Sequence, residues 1–200
     1  SRGLGDVYKR QDFIPEYDKI YCVSEPVRKQ VIARFPELAD RTEVLLNFID
    51  IKQVQRRSEE PLSDPQYTGE LKFLTVGRAS EEKGYDIAVQ ITAELKKRGL
   101  RFKWFIIGDG RDLNKLRTMA KEYQVEQEII FLGMRENPAP YVKSCDLYLQ
   151  PSRHEGYPIT IVEARSLQKV IIASDIPSMR EQIRDGENGY LCPLDVMQFA

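Results

Sequence analysis

Histidine is almost absent from this 200-residue chain: His154 stands alone, so a histidine-built zinc site lacks ligands and no metal site is expected. Cysteine is scarce too. Cys22, Cys145 and Cys192 lie far apart in no paired spacing, which argues against a disulfide framework or a Cys-x-x-Cys motif and predicts buried, reduced thiols. Ser152 and His154 make no credible nucleophile and base, because alternate residues on a short loop do not face each other. Neither charge sign dominates. Thirty Lys and Arg against 31 Asp and Glu leave a net charge of -1, so no nucleic-acid partner is expected. No apolar run approaches the length of a transmembrane span and no signal peptide is visible, which makes the cytoplasm the expected location.

What is present is a regular alternation of short apolar runs and amphipathic stretches. Ser1 to Gln11 fits no element and reads as an adapter-derived leader (1–11). Over 12–51, Tyr17–Ser24 predicts a strand, Ser24 an N-cap, Val27, Val31, Ile32 and Phe35 a helix, and Glu43–Asp50 a second strand. These few elements cannot build a core, and they read as the remnant of a preceding domain. Residues 52–70 are polar and proline-punctuated, as an interdomain linker would be. From 71 to 200 strands are expected at Leu71–Val76, Phe102–Ile107, Glu128–Leu132, Asp146–Leu149 and Lys169–Ala173, with helices between them. The last residues, Asp195–Ala200, read as a helix just starting. Such alternation over short connections predicts an α/β fold, a Rossmann-like parallel sheet with helices on both faces. In that architecture ligands bind outside the carboxyl ends of the strands.

The stretch Ser152–Ala164 sits at one such end. Gly156 loosens the chain and Pro158, with φ preset and no N–H to lose, suits a first helical residue. The amides of Ile159 and Thr160, with those of Gly156 and Tyr157, would face outward beside the positive helix end and favour a phosphate. Glu163, one turn in, leans back toward the same crevice. Two carboxylates, Glu155 and Glu163, make sense beside a phosphate if each grips a different polyol, which implies a diphosphate flanked by two sugars. The plainer alternative keeps Glu163 as a first-turn acid complementing the dipole and Glu155 as an ordinary loop acid. Gly77-Arg78 follows the first strand of the 71–200 region and Glu82-Lys83-Gly84 precedes its helix. Arg78 and Lys83 are therefore placed to meet a diphosphate, unless they are merely a solvated surface pair. Gly108-Asp109-Gly110 is fully explained as a tight turn and cap.

Val76-Gly77-Arg78 with Glu82-Lys83-Gly84, Ile107-Gly108-Asp109-Gly110, Phe131-Leu132-Gly133 and Glu155-Gly156-Tyr157-Pro158 through Glu163-Ala164 together resemble the C-terminal donor-binding domain of glycosyltransferase family 4. The resemblance runs from about Asp12 to Leu191. It implies a retaining GT-B enzyme, of which this chain is the C-terminal half and 71–200 the nucleotide-sugar-binding domain, truncated at its C-terminus. By resemblance Arg78 and Lys83 hold the diphosphate, Glu155 faces the donor sugar and Glu163 holds ribose hydroxyls. Gly77 and the backbone of Gly156, Tyr157, Pro158, Ile159 and Thr160 approach phosphates and sugar, and Met134 and Arg135 lie by the base. Glu155, Arg78 and Lys83 carry the chemistry. The donor is a UDP- or GDP-type nucleotide sugar, and no cofactor is implied. A glycan, lipid-linked or small-molecule acceptor would dock on the N-terminal domain, as would any peripheral association with a membrane, so the fragment alone is expected to be inactive. The chain departs from the family after the motif, where Leu167-Gln168-Lys169 replace the usual small and glycine residues. Two other readings stay open: a nucleotide-sugar epimerase of the same architecture, and a non-catalytic nucleotide-binding domain.

Overall fold

A computed structural model describes residues 17–200, and the expected leader lies outside them. The chain divides into two compact units, one ending at Asn47 and the other starting at Phe48. In the first, β1 (Ile20–Cys22) and β2 (Thr42–Val44) pair in parallel around α1 (Glu25–Arg34) and a 3₁₀ turn. Ser24 caps α1 as expected, its hydroxyl accepting from the Val27 N–H at 3.4 Å. The second strand stops far short of the expected Asp50. Its partner β1 ends at Cys22, so after the Leu45 N–H reaches the Cys22 carbonyl there is no strand left to pair with.

The larger unit holds α2 (Ile51–Ser58), β3 (Lys72–Val76), α3 (Tyr85–Lys97), β4 (Lys103–Ile107), α4 (Leu113–Glu122) and β5 (Ile129–Gly133). It continues through α5 (Ala139–Ser144), β6 (Leu147–Gln150), α6 (Ile159–Ser166), β7 (Val170–Ser174), α7 (Pro177–Arg180), β8 (Tyr190–Cys192) and α8 (Val196–Phe199). Helix α2 opens the stretch expected as a linker. Asp50 caps it, accepting from the Gln53 N–H at 3.0 Å, and it packs on α5 and α6. The Asp-x-x-Gln spacing there is a capping signal.

Six strands form one sheet in the order β5-β4-β3-β6-β7-β8, every pair parallel. Alternate residues feed two cores, as a doubly covered parallel sheet requires. Leu74, Phe105, Ile107, Tyr148 and Ile171 pack with α5 and α6 on one face. Phe73, Trp104, Ile106 and Leu149 pack with α3 and α4 on the other. Trp104 is wholly buried, yet its indole N–H is satisfied by the Thr75 hydroxyl at 2.9 Å. The chain turns away from β3 in both directions, so the break in strand order falls between β3 and β6, the point where such sheets open a crevice.

The tops of the strands close tightly there. Gly108 has φ +140, and a Cβ on it would sit 1.9 Å from the Gly77 carbonyl oxygen, so only glycine lets the ends of β3 and β4 meet. After α6, Gln168 occupies the left-handed region at φ 56, in the turn where the family pattern has small residues and glycine. That departure costs the chain about 1 kcal/mol of backbone strain. Cys22 and Cys145 are buried free thiols, as expected, while Cys192 is free but only half-buried; burial pushes Cys145 up to about 12.

Candidate functional site

Two loops meet across the β3/β6 break. The first, after β3, carries Gly77, exposed Arg78 and Lys83. The second, after β6, carries Ser152 to Pro158. Gly84 brings them into contact: its φ is +66, and a Cβ would lie 1.9 Å from the Pro151 carbonyl oxygen. The Arg153 and His154 N–H groups both donate to the Glu82 carbonyl, at 2.8 and 3.2 Å. The Arg153 guanidinium then forks onto the Asp86 carboxylate with two bonds of 2.6 Å and reaches the Glu81 carbonyl at 2.9 Å. Burial opposes ionisation of Asp86, but the Arg153 fork outweighs it and holds the carboxyl below its ordinary range.

This stitching delivers Lys83 to Glu155, with Nζ 2.7 Å from Oε1 and the side chains only 20% and 9% exposed. The same oxygen also accepts from the Ser152 hydroxyl at 2.7 Å and the Gln150 amide at 3.0 Å. Three donors thus converge on Oε1, and among the described residues none reaches Oε2. A few residues on, α6 begins. Pro158, expected as the first helical residue, is instead the N-cap with ψ 104, and Ile159 opens the helix. The shift is small because proline's preset φ, here −69, suits either position, and either way it has no N–H to offer. The Thr160 hydroxyl is buried beside this helix mouth, with no hydrogen-bond partner among the described residues.

Glu163 lies one turn in, without a cation at salt-bridge distance among the described residues. Burial pushes its carboxyl above the ordinary range, with Arg57 of α2 pulling the other way. Arg78 is exposed and its charge helps depress Glu82, a shift dominated by the Ser80 hydroxyl.

The β5 end is built differently. Met134 is 75% exposed, whereas Arg135 is turned into the structure. Its guanidinium donates to Asp64 Oδ2 at 2.8 and 3.1 Å, to the Tyr141 hydroxyl at 3.1 Å, and to the Leu132 and Met134 carbonyls. Burial opposes ionisation of Asp64 as well, yet Arg135, the Gln66 N–H and Tyr141 hold its carboxyl below the ordinary range. Arg135 therefore braces the loop that presents Met134, and its own donors are spent on protein.

Gln150, Arg153 and Asp86 were not singled out from sequence, and Ser152 was weighed only as a nucleophile. Gln150 carried a signal: it is a polar side chain ending a strand that is otherwise apolar and buried.

Residues 57–199 match the family described as glycosyl transferases group 1. The chain belongs to that family. It is 29% identical over 183 residues to an uncharacterised glycosyltransferase of Methanocaldococcus jannaschii, covering 89% of this chain and 43% of the relative. It is 30% identical over 191 residues to a lipopolysaccharide 1,6-galactosyltransferase of Salmonella typhimurium, covering 93% and 51%. The chain thus spans about half the length of the curated relatives it matches. Among solved structures, Anabaena Alr3699/HepE in complex with UDP and glucose superposes with a TM-score of 0.76 at 19% identity, covering 92% of this chain and 51% of that one. The parallel six-stranded sheet flanked by helices is that of GT-B glycosyltransferases, as the sequence led one to expect. Among the described residues no helix is long and apolar enough to cross a membrane.

Proposed function

We propose that this chain is the donor-binding part of a retaining, family 4 glycosyltransferase. It takes a sugar from a UDP- or GDP-type nucleotide sugar and passes it to an acceptor hydroxyl in glycan, polysaccharide or glycolipid synthesis. The observation that carries this reading is the Lys83–Glu155 pair, a cation and a carboxylate supplied from opposite sides of the sheet's topological break, beside the mouth of α6. A diphosphate needs the cation and the helix mouth, and a sugar needs the carboxylate. The Anabaena protein of the same fold, solved with UDP and glucose, supports the ligand class, and the Salmonella relative supports a glycan acceptor.

In this reading Arg78, Lys83 and the amides of Ile159 and Thr160 receive the charge that grows on the diphosphate as the anomeric C–O bond breaks. Glu155 orients the sugar and Glu163 the ribose, while the acceptor oxygen attacks from a site on the N-terminal domain. No metal or cofactor is called for at the phosphates, since fixed cations serve there.

The test is a thermal-shift panel of UDP-, GDP- and ADP-sugars with this chain. At a hundredfold excess over Kd a ligand adds about 2.7 kcal/mol, which for this chain length moves Tm by roughly 5–10 °C. No shift with any of them at millimolar concentration sinks the reading. In the complete protein, epimer formation from donor alone identifies an epimerase. Binding without transfer or hydrolysis identifies a non-catalytic domain, and inversion at the anomeric carbon of the product, read by NMR, removes the retaining assignment.

A further inference from the structure

Beneath Glu155 lies a polar chain that runs inward to the sheet. The Val76 N–H of β3 donates to the Tyr148 hydroxyl at 3.3 Å, and that hydroxyl's one proton is shared between Gln150 Oε1 at 3.3 Å and the Val76 carbonyl at 3.5 Å. The Gln150 amide nitrogen then donates to the Ser152 hydroxyl at 2.8 Å and to Glu155 Oε1 at 3.0 Å, and Ser152 spends its one proton on the same carboxylate oxygen. Tyr148, Gln150 and Ser152 are each 0% exposed. The carboxylate accepts only, so the Gln150 amide cannot turn over without facing its own carbonyl toward Glu155. A buried polar chain of this length is costly unless every member is paired, and here its whole output is two hydrogen bonds on one oxygen.

We infer that Gln150 and Ser152 are positioning residues for Glu155: they hold its Oε1 so that Oε2 faces the donor sugar, and keep holding it when Lys83 turns to the diphosphate. The inference rests on the proposed function and adds residues that the motif resemblance did not assign. Without the two neutral donors, a diphosphate that drew Lys83 away would leave Glu155, 9% exposed, as a poorly compensated buried charge. With them, the cation is free to change partner and the carboxylate stays hydrogen-bonded and aimed. Lys83 serves the phosphate and Glu155 the sugar, so the two recognitions become separable.

That separation is the readout. With the nucleotide sugar that stabilises this chain most in the panel, and its parent nucleoside diphosphate, Kd is measured by calorimetry for the original chain, Ser152→Ala and Gln150→Leu. Each variant is expected to lose about 10-fold in the affinity that the sugar adds over the bare diphosphate, while diphosphate affinity stays within about twofold. In a Glu155→Gln background the same two substitutions are expected to change nothing further. Equal losses for sugar and diphosphate, or full additivity with Glu155→Gln, would mean the chain is only part of the fold and would overturn the inference. If Gln150→Leu proves unstable, Ser152→Ala decides alone, since it deletes one hydroxyl. Absence of any binding by the original chain overturns the functional reading and this inference with it. Binding with an unchanged sugar increment overturns this inference only.

Discussion

Two of the cation–carboxylate pairs at the upper rim of the sheet differ in what they leave over. Arg135 and Asp64, after β5, are saturated: the guanidinium reaches a carboxylate, a phenol and two carbonyls, and Asp64 also takes the Tyr141 hydroxyl and the Gln66 N–H. Lys83 and Glu155, at the β3/β6 break, are not. A lysine ammonium is a mobile point charge on a flexible stem, three donors crowd one carboxylate oxygen, and the other oxygen stays available. A saturated pair fixes a backbone, whereas a pair with capacity left over can exchange partners with a ligand. The family resemblance put Lys83 at the diphosphate and Arg135 by the base, and it is partner count, rather than charge, that separates the two cations.

The contrast breaks most severely at Gly84. Replacing it with valine puts a branched side chain into the left-handed region and against the Pro151 carbonyl, prying the Lys83–Glu155 pair apart while the Arg135–Asp64 pair is untouched. The expected cost is about 5 kcal/mol, at the top of the range for single changes, seen as a Tm drop of roughly 10 °C or more together with loss of nucleotide-sugar binding. A chain that melts normally would show that the two loops are not held by this contact.

Lys83→Met comes next. It leaves Glu155 with only the neutral donors Ser152 and Gln150 and is expected to cost about 2 kcal/mol in urea unfolding, below the range for a broken buried pair because those two hydrogen bonds remain. The double change Lys83→Met with Glu155→Gln should recover most of that stability and none of the binding. If stability is not recovered, the pair is scaffold after all. At the saturated pair, Asp64→Asn removes the charge that Arg135 grips. A loss of about 2 kcal/mol is expected, with a smaller effect on diphosphate affinity than at Lys83. A larger binding loss there than at Lys83 would reverse the comparison.

Glu163 gives the smallest effect and a sign that can be worked out. Burial raises its folded value above the ordinary 4.5, so the folded state holds the proton more tightly. The ionised form therefore weighs against folding, a penalty absent below the ordinary value and fully present above the raised one. Glu163→Gln should accordingly raise stability slightly at pH 7, by about 1 kcal/mol or less, and leave it unchanged at pH 4. Nucleotide-sugar affinity of the original chain should fall as pH drops through the raised value, because a protonated acid accepts poorly from ribose hydroxyls. The glutamine variant should be flat across that window. An unchanged pH profile would remove Glu163 from the site.

Much of the architecture could be read from the pattern of residues. The apolar runs of β3 to β7 lie within a residue or two of where the sequence pattern put them, because local burial dictates the pattern. Helix α2 escaped notice because it is mostly polar along its length, although Asp50 and Gln53 marked its start. Strand β2 was overextended because an apolar run says nothing about how long its partner is.

At the site, the amino-acid sequence by itself determined which chemical groups stand at strand ends: Gly77, Arg78 and Lys83 after one strand, Glu155 to Glu163 after another. Their meeting was decided only by tertiary structure. Lys83 and Glu155 are joined across the sheet because β6 lies beside β3, and Arg135 was withdrawn because Asp64, far upstream, folds back onto it. Strand order and long-range partners depend on loop closure and on packing of the whole sheet, quantities that no local spacing of residues encodes.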